Sequence, residues 1–304
     1  MTSTAGLYVA TVLIWGTTWI ALKLQLGSVP IAWSIAWRFA LAGAVLLAWL
    51  AWRGELKRPT RAAAPLLLAQ GLCLFCINFL CFLHASQWIA SGLVAVCFST
   101  APLWNALNAR LLQGQPLKPR VMVGAAFGLA GLALLFGTEL FADLARRELL
   151  WGLALAMAGT CCFSLGNLLS GALQRQGLAP LQTNAWAMLI GTAAVSVYAL
   201  VRGDVPSFDL SPTYLGAWLY LAIPGSVIGF TAYLTLVGRL GADRAAYCTV
   251  LFPVVALNVS ALLEGYRWTP GGLLGLGLVA AGNVVVFWRG SMPLRQPMDA
   301  PMAR

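Results

Sequence analysis

Residues 102–136, PLWNALNARLLQGQPLKPRVMVGAAFGLAGLALLF, recur without a gap 151 residues later, at 253–287, as PVVALNVSALLEGYRWTPGGLLGLGLVAAGNVVVF. Pro102 matches Pro253, Leu112-Gln113-Gly114 matches Leu263-Glu264-Gly265, and Pro119 matches Pro270. Gly124 matches Gly275, Gly131 matches Gly282 and Phe136 matches Phe287. Agreement at so many Pro and Gly positions in one register exceeds what shared apolar composition produces, so the chain is built from an internal repeat.

Working outward, the 304 residues are 60% hydrophobic and only 9% charged, against about 25% charged in a soluble domain. This composition predicts a polytopic membrane protein rather than soluble domains. The net charge of +10 does not point to nucleic acid, because the basic residues sit singly or in short clusters between long apolar runs. Seven cysteines lie inside those runs and read as small packing residues, with no disulfide framework expected. Cys73 and Cys76 have redox or metal spacing, but no His or acid accompanies them.

About 20 apolar residues cross a bilayer as a helix. Ten such segments are expected, at 4–22, 31–51, 62–83, 87–109, 121–137, 150–172, 181–201, 213–236, 245–263 and 270–288. The first lacks a basic n-region and a cleavage site and is expected to remain as a span. Of the 19 Lys and Arg, 13 fall in the loops and tail on one side of this arrangement and 5 on the other, with Arg38 inside a span. The positive-inside rule makes the richer side cytoplasmic and puts both termini there. Five spans per half is an odd number, so the second copy enters from the opposite face. The expected fold is therefore all-α, ten transmembrane helices as two inverted five-helix repeats, 1–148 and 149–304, the second ending in a short cytoplasmic tail. Inverted repeats suit alternating access, with a site between the halves.

These residues resemble a known family. Trp15-Gly16-Thr17-Thr18-Trp19, Arg38-Phe39, the run from Ala90 to Gly137, and Leu262-Leu263-Glu264-Gly265 with Thr269-Pro270 are similar to the two EamA repeats of the drug/metabolite transporter superfamily, over nearly the whole chain. The resemblance implies a bacterial inner-membrane carrier exporting amino acids or similar small metabolites, whose partners are a small-molecule solute and the lipid bilayer. A lipid-handling or non-transporting membrane partner protein is the alternative. One departure stands out: the first half has Gln113-Gly114-Gln115 where the repeat usually has Gly-Glu, so only the second half keeps the acid, at Glu264.

Candidate substrate-binding residues follow from polarity inside the spans. Pro102 and Pro253 interrupt corresponding helices and free backbone carbonyls. On an unbroken helix Ser91, Pro102 and Asn105 share one face, as do Tyr247 and Asn258. They read either as a polar cavity lining or as interhelical hydrogen-bonding residues. Arg38 lies about seven residues, roughly 10 Å, below the outer surface. It is either a snorkelling or carbonyl-bound structural residue, or the counter-ion of a substrate carboxylate or phosphate. Trp15, Thr17, Thr18 and Trp19 have near counterparts in Phe163, Ser164 and Asn167; each group is cavity wall or packing. Asn78, Asn184, Trp186, Tyr233 and Asn283 are weaker candidates. The pairs Gly124/Gly128, Gly225/Gly229 and Gly271/Gly275 have the spacing of close helix contacts.

His84 is the sole histidine, at a span end, and no acidic residue lies deep in a span. Catalytic and metal centres need several convergent ligands or titratable groups, so neither an enzyme nor a metal or other cofactor is expected. Proton-coupled carriers keep carboxylates or histidines inside the membrane. Facilitated diffusion or exchange is therefore expected, with Glu264 and Asp243 as the exceptions to watch.

Overall fold

The computed structural model describes residues 3–117, 119–142, 147–240 and 248–287, and every regular element among them is helical. In chain order these are α1 (Thr4–Leu24), α2 (Ile31–Trp52), α3 (Ala64–Leu72), the wide turn π1 (Cys73–Ile77), α4 (Asn78–Trp88), α5 (Ser91–Phe98) and α6 (Ala101–Gln113). There follow α7 (Pro119–Ala142), α8 (Arg147–Arg175), α9 (Pro180–Val201), α10 (Pro212–Tyr220), the wide turn π2 (Leu221–Ile228), α11 (Gly229–Leu240), α12 (Cys248–Leu263) and α13 (Pro270–Phe287). Among the described residues, six helical stretches are long and apolar enough to cross a membrane: Thr4–Leu24, Ile31–Trp52, Ala64–Trp88, Arg147–Arg175, Pro180–Val201 and Pro212–Tyr233. Pro119–Leu135, Leu251–Leu263 and Pro270–Gly282 are shorter apolar helices. The chain is thus an all-helical membrane protein.

The Pro and Gly positions that repeat in the sequence start and stop helices. Pro119 and Pro270 open α7 and α13, where the missing N–H would have had no partner. Gly114, the C-cap of α6, and Gly265, just beyond α12, have φ of 67° and 72°, a left-handed conformation that a β-carbon disfavours. The stretch expected as one helix over 87–109 is broken at Ser99 and Thr100 into α5 and α6. Pro102 therefore lies in the first turn of α6, not inside a helix, whereas Pro253 is inside α12. Ser99 and Thr100 turn their hydroxyls back onto the carbonyls of Val96 and Cys97, at 2.7 and 2.6 Å.

With lipid as apolar as leucine, helices associate through close packing rather than burial from water. Small residues supply it here. A β-carbon on Gly282 would lie 2.6 Å from the Gly124 carbonyl oxygen, and one on Gly131 2.6 Å from that of Gly275. The later glycine of α7 meets the earlier glycine of α13, so these two helices cross antiparallel. Further packing joins α2 to α9, α1 to α11 and α12, α8 to α4 and α6, α2 to π2, and α9 to π1. Large apolar side chains such as Leu13, Met122, Leu129, Val197 and Leu273 are exposed on the outside, while Thr11, Ser34, Gln70 and Thr160 are buried. This distribution suits a lipid surround.

All seven cysteines are free. Among the described residues the ion pairs are Lys23–Glu264 and Arg53–Glu55.

Candidate functional site

Several helices contribute to one internal cavity, lined by Trp15, Thr18, Trp19 and Leu22 of α1, Arg38 of α2, and Asn78, Phe79 and Phe82 of α4. Phe98 of α5, Phe163 of α8 and Phe230 of α11 complete the wall. Its volume is about 40 Å³, where a single water needs about 10–15 Å³. In this conformation it has room for a head group rather than a large solute.

The walls are an aromatic lattice. Trp15 packs on Phe230, Tyr233 and Phe252 with centroids 4.9, 5.1 and 5.7 Å away. Trp19 lies 5.3 Å from both Phe82 and Phe98, and Phe98 lies 4.6 Å from Phe163. Close approach of α1 to π2 and to the start of α11 depends on two glycines. A β-carbon at Gly229 would fall 2.3 Å from Trp15 Nε1, and one at Gly225 2.9 Å from Thr18 Cγ2. That fit lets Trp15 Nε1 donate to the Gly225 carbonyl at 3.0 Å.

Arg38 is 3% exposed, and its Nε donates to Ser226 Oγ at 3.0 Å. The Ser226 hydroxyl in turn donates to the Leu221 carbonyl, five residues back in π2, at 2.8 Å. The guanidinium carbon sits 4.4 Å from the Phe79 ring centroid and 4.9 Å from that of Phe39, contacts that partly offset desolvation. Among the described residues no carboxylate pairs with it, and its Nη1 has no hydrogen-bond partner. A buried cation compensated only by a hydroxyl and two ring faces is costly to keep.

At the C-terminal end of α1 a second constellation ties the chain together. Glu264, whose side chain is 7% exposed, pairs with Lys23 at 2.9 Å. Its carboxylate accepts from Ser91 Oγ and Ser260 Oγ, both at 2.5 Å, and from the Ser91 backbone N–H at 3.1 Å. Ser91 opens α5, so the carboxylate also meets the positive end of a helix dipole. Burial pushes the Glu264 pKa up, but the Ser260, Ser91 and Lys23 hydrogen bonds and the Lys23 charge outweigh it and hold the carboxyl below its ordinary value.

On the same side, the segment 202–211 straps the start of α2. Trp33 and Trp37 donate to the carbonyls of Asp204 and Ser207, each at 2.9 Å. Asp209 accepts from Ser28 at 2.7 Å.

Of the residues expected to bind solute, Trp15, Thr18 and Arg38 line the cavity. Thr18 turns its hydroxyl onto the Trp15 carbonyl at 2.8 Å. The others described lie elsewhere. Ser91 belongs to the Glu264 cluster. Ser164 accepts from Asn108 at 3.0 Å. Asn258 is exposed and donates to Val254 of its own helix at 2.7 Å. Pro102 is buried and Asn105 and Asn167 are half-buried, outside the cavity lining. Tyr247, with Asp243, falls outside the described residues. The common face expected for Ser91, Pro102 and Asn105 assumed one unbroken helix, and the break at Ser99–Thr100 removes that register. Trp19, ranked level with packing, and Asn78, ranked lower, are cavity residues. So are Phe79, Phe82, Phe98 and Phe230, which no polarity argument selects.

Comparison with known proteins places this architecture. The chain is 28% identical over 300 residues to the uncharacterized inner membrane transporter YedA of Escherichia coli K12, covering 98% of this chain and 94% of that one. It is 23% identical to the uncharacterized transporter YoaV of Bacillus subtilis, over 90% and 93% of the two chains. To a probable amino-acid metabolite efflux pump of E. coli K12 it is 23% identical, over 89% and 90%. A solved crystal structure superposes with a TM-score of 0.67 at 20% identity, covering 93% of this chain and 95% of the other, which shows a shared fold. The model of the EamA-like transporter family matches residues 2–137 and again 150–288. This chain therefore belongs to the EamA-like transporter family of membrane transporters.

Proposed function

We propose that the protein is an inner-membrane solute carrier that exports amino acids or similar small metabolites by alternating access. Its two moving parts are inverted five-helix repeats, 1–148 and 149–304, with both termini cytoplasmic. In this reading the ten spans are α1, α2, α3–α4, α5–α6, α7, α8, α9, α10–α11, α12 and α13.

The packing supports a two-fold relation between the halves. Exchanging each span with the one five places on turns the α1–α12 contact into α8–α6, α1–α11 into α8–α4, and α2–π2 into α9–π1, all of which are present. The glycine crossing obeys the same exchange. Shifting Gly124 by 151 gives Gly275, and shifting Gly282 back gives Gly131, so the two contacts are images of each other. Adding 151 to 73–77 gives 224–228, which lies within π2, so the wide turns also correspond.

The observation that carries the function is the cavity, drawn from both matched segments around a buried arginine with no protein carboxylate. Trp15, Thr18 and Arg38 form its solute-facing wall, while Ser91 works in the Glu264 cluster at one end. Glu264 there ties the second half to Lys23 and Ser91 of the first. Its repeat counterpart Gln113 is exposed and bonds to nearby Gln115. The opposite end is also held across the halves, where Gln182 and Trp186 donate to the Lys57 carbonyl, so the two ends differ in that, among the described residues, only the Glu264 end carries an ion pair between the halves. The E. coli efflux pump supports amino acids as solutes, and the YedA relative supports the inner membrane.

Deleting and overexpressing the gene against a panel of amino acids and toxic analogues tests this, with counterflow of the responsive solutes in proteoliposomes. Tolerance should rise on overexpression. No change for any solute, together with no counterflow, overturns the carrier reading.

A further inference from the structure

Three buried side chains that line the cavity each carry a polar atom with no hydrogen-bond partner. These are Trp19 Nε1, Arg38 Nη1 and Asn78 Oδ1, on residues 5%, 3% and 1% exposed. Leaving such an atom unpaired costs about 1–3 kcal/mol, more for a charged group. Three in one small cavity therefore describe what is missing from it. Two are donors, one of them cationic, and one is an acceptor. Their surroundings are aromatic and aliphatic.

We propose that this cavity is a subsite for the head group of a compact monocarboxylate carrying a hydrogen-bond donor on the carbon next to the carboxylate. An α-amino or α-hydroxy acid with an apolar body has this chemistry. The carboxylate takes Arg38 Nη1–H and Trp19 Nε1–H, and the adjacent N–H or O–H donates to Asn78 Oδ1. The assignment rests on the reading of this cavity as the solute site.

Charge balance narrows the class. Arg38 contributes one positive charge, and among the described residues no other charged side chain lines the cavity. A hydroxy acid's single negative charge is neutralised, a zwitterionic amino acid pairs its carboxylate with the guanidinium without adding net charge, and a doubly charged phosphate monoester leaves a negative charge unpaired. Asn78 Oδ1, a bare acceptor, repels a second anionic oxygen. A cationic amine without a carboxylate meets the guanidinium and is rejected. The ring faces of Phe79 and Phe82 contribute no polar partner, so the rest of the solute is apolar where it touches them. The guanidinium is preset for the task, because Ser226 holds Nε and two phenyl rings hold its plane. Little side-chain ordering remains to be done on binding.

The test uses purified full-length protein in nanodiscs with tritiated L-leucine as the bound probe. The competitors are L-leucinamide, which lacks the carboxylate, 4-methylpentanoate, which lacks the donor, and 2-hydroxy-4-methylpentanoate, which restores it as a hydroxyl. Leucine should displace the label at least tenfold better than leucinamide, the scale of one charge-assisted hydrogen bond. The hydroxy acid should outcompete 4-methylpentanoate. In Asn78→Leu that second preference should vanish while the first remains. In Arg38→Gln leucine and leucinamide should become equal, with Arg38→Lys intermediate because it keeps charge and loses the fork.

Equal affinity of the parent protein for leucine and leucinamide, or no leucine binding, overturns the proposal whatever the variants do. Counterflow of leucinamide or of phenethylamine at the leucine rate would likewise sink it while leaving the carrier reading intact. The carrier reading falls only if no solute is moved.

Discussion

Replacing Glu264 with Gln removes a charge while leaving the side chain's shape, and its effect can be sized from the contacts. The carboxylate oxygens accept from two hydroxyls at 2.5 Å and one backbone N–H at 3.1 Å, and meet the Lys23 ammonium at 2.9 Å. Both hydroxyls donate to Oε2 and Lys23 faces Oε1, so a glutamine with its oxygen at Oε2 keeps the two hydroxyl bonds but as bonds to a neutral group, a weakening of about 1.5 kcal/mol for the two together. Lys23 is 36% exposed, which limits its share to about 0.5 kcal/mol. The total, about 2 kcal/mol, corresponds to roughly 30-fold in the opening equilibrium at this end.

Hydrogen–deuterium exchange reads it directly, because the Ser91 amide is one of the groups held. Exchange at residues 91–94 should quicken by about that factor in Glu264→Gln, with the amides of α7 unchanged. Unchanged exchange at 91–94 in a folded variant would refute the account of this cluster. The pH dependence has a definite sign. The carboxyl is held below its ordinary value, so its contribution is complete above the unfolded carboxylate pKa of about 4.3. It is lost only as pH falls through the lowered folded value. Between pH 5 and pH 8 the parent should show no Glu264-dependent change.

Other consequences follow from the packing and the topology. Gly131→Ala places a β-carbon 2.6 Å from the Gly275 carbonyl oxygen and should lower the melting temperature by the equivalent of about 1–3 kcal/mol. Gly216→Ala, with nothing within 4 Å, should be neutral or stabilising by up to about 1 kcal/mol. A lower melting temperature in Gly216→Ala than in Gly131→Ala would contradict the crossing. Reporter fusions at Arg304 and in the 138–149 segment should report opposite sides of the membrane, and a shared side would end the ten-span topology. In proteoliposomes, reversing an imposed pH gradient should leave the transport rate nearly unchanged. Accumulation driven by that gradient and abolished in Glu264→Gln would show proton coupling.

The helix boundaries were readable because Pro119, Pro270, Gly114 and Gly265 act through the backbone, whatever the surroundings. Arg38 stood out for a similar reason: a charge inside a span needs a solvent substitute, and the cavity supplies part of one. The facing of the other helices was not readable. In lipid both the outer and the inner face of a helix are apolar, so periodicity does not say which side turns inward. Asn258 and Ser91 illustrate this, being equally polar in sequence. One back-bonds to its own helix at an exposed position, and the other meets Glu264 at a span end. Pro102, two residues beyond the break at Ser99–Thr100, marks an interruption in the sequence, but whether a proline kinks one helix or opens a second is not readable from it alone, so the angular register does not carry through. Trp19 and Asn78 became informative only once both residues proved to line the same cavity and each to carry an unpaired atom.

The wide turn π2 bears on how such a gene can vary. A π turn is in effect an α-helix carrying one surplus residue, and here that surplus lets the Ser226 hydroxyl reach the Leu221 carbonyl and accept from Arg38. Losing one codon within 221–228 would leave an ordinary α-helix of nearly the same length. Because a wide turn absorbs its surplus residue, Phe230 and Tyr233 beyond it would keep nearly their present facing. A single in-frame deletion would thus act on the turn itself, stripping Arg38 of its hydroxyl while leaving both helices near their places. Among descendants of such a gene, the length of this segment is an inheritable dial for what the interior accepts.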